Sequence, residues 1–393
     1  MNNSYETIVN ILKYSIKKQN YILDDNVINW GEFVEKADEH QISALIYYLI
    51  GKNNLKNVPN DILNKWKKDI VLSGIAQRKI TEAFRNIIDD IILKLNIDII
   101  VLKGIVLKKY YPVNELRTMS DFDILIHKND FQKIKEYLLE NHFIYIEDNH
   151  PIHATFYNEN GVCIEVHWKL INNENYIADT INFEKYIWDE LIEFDLDGVK
   201  VKTLNKENFL LHLCIHMAKH LRNSGFGLRQ LYDIVLFCNK EKDNIDWNIF
   251  ESKCSECGAL KFSVGLFKLI NKLFNLSFFE EALRRNKLDN YDSEVLFEEI
   301  LSYDKYNEER RNISIRSAAK IKKEKKKILV GLFPKEEDLK RDFPYAINKF
   351  MLIVAWFHRL LKKLIEKFKK ICIGKNLRIV IKRRKLLLNQ FDL

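Results

Sequence analysis

"RTMSDFDILIH", Arg117–His127, decides how the middle of this chain folds. Ile124, Leu125 and Ile126 read as a strand, yet two aspartates, Asp121 and Asp123, stand at its start. Asp is a poor strand former, and two like charges on one face repel. Residues two apart on a strand leave the same face. Asp121 and Asp123 therefore point one way, and Phe122 and Ile124 point the other way, into a core. The acid pair needs water or a cation to compensate it, and an oxygen-only ligand set suits Mg²⁺ or Mn²⁺.

Upstream, "IDIIVLKG" (Ile97–Gly104) is a short β-branched run and reads as a buried strand, followed by a short helix in "IVLKKYY". Downstream, "NDFQKIKEYLLENH" reads as a helix capped by Asn129 or Asp130. "FIYI", "HATFYN" and "VCIEVHWKL" read as strands, with Asn158–Gly161 as a hairpin turn. "LIEFDLDGVKVKTL" holds another hairpin around Asp197 and Gly198. Residues 1–95 read as helices: Phe33, Ala37, Ile42, Leu45 and Leu49 lie near one face, and Asp61–Leu95 is one long periodic stretch, or two abutting helices, ended by Asn96. From Asn205 the pattern is helical again, through "NKENFLLHLCIHMAKHL" and "LRQLYDIVLFCNK", with interruptions at Pro334 and Pro344.

The expected plan is α+β, a small mixed β-sheet module flanked by helical segments. It divides into an N-terminal helical region (1–95), the sheet module (96–204), a helical segment that closes the cleft (205–300) and a C-terminal helical region with a basic tail (301–393). The chain has 393 residues, 47% of them hydrophobic, with 12 Gly and 5 Pro. Those numbers fit a large, mainly helical core and disfavour a turn-rich all-β fold or a disordered chain. Arg359–Leu393 carries 12 Lys or Arg against Glu366 and Asp392, more than the whole net charge of +8. The basic character belongs to the tail. "MNNSYETIVNILKYSIKK" lacks a continuous apolar core, and the longest late apolar run, Phe350–Phe357, falls far short of the ~20 residues that span a bilayer. The six scattered cysteines read as reduced thiols of a cytoplasmic protein.

Glu165 in "CIEVHW" repeats the acid pattern, with Cys163 and His167 on its own face. If that strand lies beside the Asp121 strand, three carboxylates converge. Gly104 ends the upstream strand, where a glycine lets a backbone approach phosphate and a helix N-terminus favours anions. Lys103 and Arg117 can supply countercharge. A glycine turn for phosphates, a same-face acid pair and a third acid together fit metal-assisted nucleotidyl transfer.

These motifs are Leu102-Lys103-Gly104, Arg117 with Asp121-Phe122-Asp123-Ile124-Leu125, and Glu165-Val166-His167-Trp168. They resemble the uncharacterised bacterial nucleotidyltransferase family of the DNA polymerase β-like superfamily. The later His212, His216, His220, Leu228, Leu231, Asp233 and Ile234 resemble it too. The likeness runs from about Ile97 to Phe237. It implies a palm-like module in which Asp121, Asp123 and Glu165 are catalytic and hold Mg²⁺ or Mn²⁺. It implies that Lys103, Gly104, Arg117, Ser120, His167, His216 and His220 contact an NTP, with ATP the expected one. An acceptor hydroxyl on a small molecule, peptide, protein or RNA receives the NMP group. One position departs from the superfamily, since Ile105 follows Gly104 where Ser or Gly is usual. A nucleotide-binding scaffold without turnover, and a toxin-like enzyme acting on RNA, are the other readings.

His212, His216 and His220 recur every fourth residue on one helical face, which fits a cleft lining or helix packing better than zinc. "CSEC" (Cys254–Cys257) has no second pair and reads as inert. The tail has an apolar face through Leu360, Leu361, Leu364, Ile365 and Phe368, and suits RNA, an anionic membrane or the protein's own acidic body.

Overall fold

Hydrophobic periodicity of three or four residues builds four helices before the first strand. A computed structural model describes residues 3–19, 21–23, 28–146, 151–170, 187–223, 225–276, 292–303 and 386–391. The N-terminal helices are α1 (Asn3–Ile16), α2 (Trp30–Glu39), α3 (Ser43–Ile50) and α4 (Asn60–Leu95). The face expected to run from Phe33 to Leu49 is split between α2 and α3. Gln41 adopts a positive φ of 58°, and the Ile42 amide returns to the Ala37 carbonyl, so the helix ends there. The long stretch is a single helix, α4, ended by Asn96 in the left-handed conformation at φ 51°, which Asn tolerates.

Strand β1 (Ile99–Val101) follows, then one helical turn, α5 (Gly104–Leu107). Next come β2 (Phe122–Ile126), α6 (Phe131–Glu140), β3 (Ile144–Ile146), β4 (His153–Tyr157), β5 (Cys163–His167), β6 (Leu191–Leu196) and β7 (Val199–Leu204). Asp130 occupies the cap position of α6, but its side chain makes no capping bond; its φ and ψ, −87° and −8°, are already near-helical and turn the carboxylate away from that role. Both expected hairpins form. Asn158 accepts from the amides of Asn160 and Val162, and Asp195 accepts from the Gly198 amide.

The strands make one seven-stranded mixed sheet in the order β3-β4-β5-β2-β1-β7-β6. β2 runs parallel to β5 and β1 parallel to β7, while the other neighbours are antiparallel. One face of the centre is dry. Phe122, Ile124, Ile164 and Val166 are fully buried, and Phe84 of α4 stacks on Phe122 at 4.2 Å. Each such side chain contributes about 1.5–3 kcal/mol of burial.

After the sheet come α7 (Lys206–Asn223), α8 (Leu228–Glu241), α9 (Trp247–Glu256), α10 (Leu260–Phe274) and α11 (Ser293–Leu301). Contacts divide the chain into one unit of Met1–Tyr306 with Gln390–Leu393, and a second of Asn307–Asn389. The "KIKKEKKK" run, Pro334, Pro344 and the tail from Arg359 through residue 385 lie outside the described residues. Among the described residues, no helix is long and apolar enough to cross a membrane.

A buried ion pair ties the helices to the sheet module. Asp233 of α8 accepts from Arg117 Nε at 2.9 Å and Nη2 at 2.8 Å, and from the Tyr111 hydroxyl at 2.8 Å. All three are buried. A Cβ on Gly104 would lie 2.7 Å from the Arg117 guanidinium, so the glycine makes room for that pair. Removing one partner strands a buried charge, which costs far more than removing both. Asp233→Ala should lower unfolding free energy by about 3–5 kcal/mol. Arg117→Met with Asp233→Leu should recover most of that in the same denaturant titration. Equal losses in the single and double variants would contradict this reading.

Candidate active site

The register of two parallel strands assembles the site. Asp123 on β2 is the direct partner of Glu165 on β5, and Phe122 pairs with Ile164. Both acids therefore rise from the same face, opposite the dry face packed by Phe84. On the other side of β2, the Leu102 amide bonds the Asp123 carbonyl at 3.0 Å. The next residue, Lys103, takes φ 44° and ψ −113°, a region comfortable only for glycine. Such strain costs about 1–3 kcal/mol and persists only where the surroundings impose it. It brings Lys103 Nζ to 2.7 Å from Asp123 Oδ1.

Asp121 stands one residue before β2 begins, outside the ladder where the sequence reading had placed it. It is held indirectly. Gln77 of α4 is buried and clamps Met119 through both polar groups, donating to its carbonyl at 2.8 Å and accepting from its amide at 3.1 Å. Ser120 Oγ then reaches Asp121 Oδ1 at 3.3 Å.

His167 lies between the acids. Its Nε2 is 3.0 Å from Asp123 Oδ1 and 3.3 Å from Glu165 Oε2. Burial opposes charge on every one of these groups, and the partners overcome it. Burial raises the Asp123 carboxyl, but Lys103 and then His167 hold it well below its usual value. Burial raises Glu165 too, and the His167 hydrogen bond together with the charges of Lys103 and His167 brings it below its usual value. Burial would lower Lys103 and His167, but the carboxylates keep both raised, Lys103 chiefly through Asp123. Asp121 moves the other way, raised by burial and then by its neighbour Asp123. Lys103 and His167 thus offset the cost of burying Asp123 and Glu165.

Helix α7 faces this cluster with its histidine stripe. His216 and His220 stack edge to face at 4.4 Å. His212 is buried with neither ring nitrogen hydrogen-bonded among the described residues. Burial pushes the His212 imidazole down to about 3, aided by the charge of Lys103. Burial and then Lys103 also push His216 well down.

Gly104 and Arg117 both make inward contacts. Gly104 is buried against Arg117 and Met119, and Arg117 pairs with Asp233. Two other cations emerge. Lys219 of α7 is lowered by burial and then by Lys103, and senses Glu165 and Asp123. Arg229 of α8 donates to the Thr118 carbonyl and senses Asp121. Lys219 was visible as a neighbour of the histidine stripe, whereas nothing local marked Arg229. His153, the register partner of His167, also needed the strand pairing to be found. The histidines should titrate in opposite senses in the metal-free protein. Imidazole NMR should show His167 gaining its proton above 6.5 and His212 staying neutral across pH 5–8, with His212 falling to about 3. A His167 midpoint below 6.5 would contradict the charge balance.

The model of a family described as uncharacterised nucleotidyltransferase matches residues 26–275. A comparison with curated proteins finds no match. Among solved structures, the chain is similar to an antigenic nucleotidyltransferase-like protein from Paracoccidioides brasiliensis, at 15% identity, covering 49% of this chain and 91% of that one, with a TM-score of 0.26. The family match takes in well over half of the chain and every residue of the cluster described above, from Gln77 to Asp233; the chain belongs to the uncharacterised nucleotidyltransferase family.

Proposed function

We propose that the chain transfers an NMP group from an NTP, ATP first among them, to an acceptor hydroxyl and releases pyrophosphate. The observation that carries this reading is the pairing of Asp123 with Glu165 across two parallel strands, with Asp121 close enough to feel both. Their oxygens suit Mg²⁺ or Mn²⁺, and the recruitment of Lys103 and His167 as internal countercharges supports the demand for cations there. Asp121, Asp123 and Glu165 would hold such ions, which would supply Lewis-acid charge to neutralise the triphosphate.

The chain's own groups do the rest. Glu165 is ionised and partly exposed, and takes the proton from the acceptor hydroxyl as its oxygen bonds the α-phosphorus. The α-phosphorus to bridging-oxygen bond breaks, and pyrophosphate leaves with that electron pair. Lys103, Lys219 and Arg229 supply positive charge for the triphosphate, with Ser120 beside it. His167 orients both carboxylates, and His216 and His220 line the nucleotide from α7. The acceptor remains a class, a hydroxyl on a small molecule, peptide, protein or RNA. The five described cysteines are all free thiols, which supports a reducing, cytoplasmic setting.

Losing an outer partner of a metal ligand costs about 10–100-fold, so losing a ligand costs more. Asp123→Asn should therefore cut pyrophosphate release from Mg²⁺-ATP by at least about 10²-fold, assayed at a temperature where circular dichroism shows the variant folded, since stranding Lys103 also lowers its stability. Activity that survives in Asp123→Asn would end the assignment. ATP binding by the parent with no pyrophosphate release, across acceptor extracts, would favour the scaffold reading instead.

A further inference from the structure

β4 lies antiparallel to β5, and in that ladder His153 is the direct partner of His167. Opposed residues project from the same face, so both imidazoles rise on the face that carries Glu165. Their ring centroids are 4.8 Å apart and tilted by 49°. One ligand atom from each of His153, Glu165 and His167 falls within 4.8 Å of the other two. His153 and Glu165 are partly exposed, so the position is open to an ion from solvent, while His167 is buried behind them. His167 is fixed by its Nε2 contacts to Asp123 and Glu165, and its Nδ1 is buried with no hydrogen-bond partner among the described residues.

The donor set differs in kind from the aspartate pair. Two imidazole nitrogens with one carboxylate form a borderline-soft set that suits Zn²⁺ and other late first-row dications. Mg²⁺ prefers oxygen and parts reluctantly with its water. We propose that His153, Glu165 and His167 form a separate transition-metal site, specific for Zn²⁺ over Mg²⁺, beside the acid pair. Three protein ligands leave a coordination position free for an outside oxygen. The site rests on the proposed function only in sharing Glu165.

The test uses the full chain, stripped with chelator and returned to buffer containing excess Mg²⁺. Zn²⁺ retained after gel filtration is counted by elemental analysis, and Co²⁺ is titrated as a visible-absorbing probe. The parent should hold one equivalent of Zn²⁺ and show a Co²⁺ absorption band. His153→Ala should weaken Co²⁺ affinity by about 10²-fold or more, since even outer partners cost 10–100-fold. His153→Asp, which restores a ligand, should regain the band. Asp121→Asn, which leaves this donor set whole, should keep both the band and the Zn²⁺. Absence of retained Zn²⁺, a band unchanged in His153→Ala and absent in His153→Asp, or a band lost in Asp121→Asn would overturn the site. Pyrophosphate release is scored separately in Asp121→Asn, so loss of turnover with the band intact separates the two sites.

Discussion

Two carboxylates placed side by side by a parallel strand pair set the terms for everything around them. The β2–β5 register makes Asp123 and Glu165 neighbours on a largely buried face. Burial alone would drive both toward the neutral acid. Lys103 and His167 reverse that, and each arrives at a structural cost or through a structural constraint. Lys103 reaches Asp123 through a backbone conformation that side chains resist. His167 is held by its place two residues after Glu165, on the same strand face. The cluster is a closed exchange of charge, so no member can change state alone.

A second layer keeps that cluster in register with the helices. Arg117, Asp233 and Tyr111 form a buried, hydrogen-bonded knot packed against Gly104. Gln77 grips Met119 from the long helix α4, and Arg229 reaches Thr118 from α8. Among the described residues the segment 117–121 has no strand partner of its own, so these side chains stand in for a ladder and fix where Asp121 lies. Phe84 on Phe122 anchors the same segment from the opposite face.

Much of this was legible in residue order. Alternation around Asp121–Leu125 and Cys163–His167 marked the strands, and glycine and asparagine at the turns marked both hairpins. Strand alternation also assigned Asp123 and Glu165 to faces. Register between strands is a long-range property, however, and no local pattern said that β5 would lie parallel to β2 with His153 across from His167. The ion pair of Arg117 was hidden for a related reason. A glycine and an arginine near an acid pair suggest phosphate, but Asp233, more than a hundred residues later, claims the guanidinium. The positive φ of Lys103 had no local signal either, since lysine rarely adopts it. Membership in the nucleotidyltransferase family carries the fold and the class of chemistry, while the acceptor depends on cleft surfaces that short motifs do not describe.

The most direct test is anomalous diffraction from crystals grown with Mn²⁺ and a non-hydrolysable ATP analogue. The account predicts manganese within ~2.0–2.6 Å of carboxylate oxygens of Asp121, Asp123 and Glu165, with Lys103 released from Asp123 toward the phosphates. Nucleotide bound elsewhere, or Asp123 still paired to Lys103 with no manganese at the acids, would contradict it.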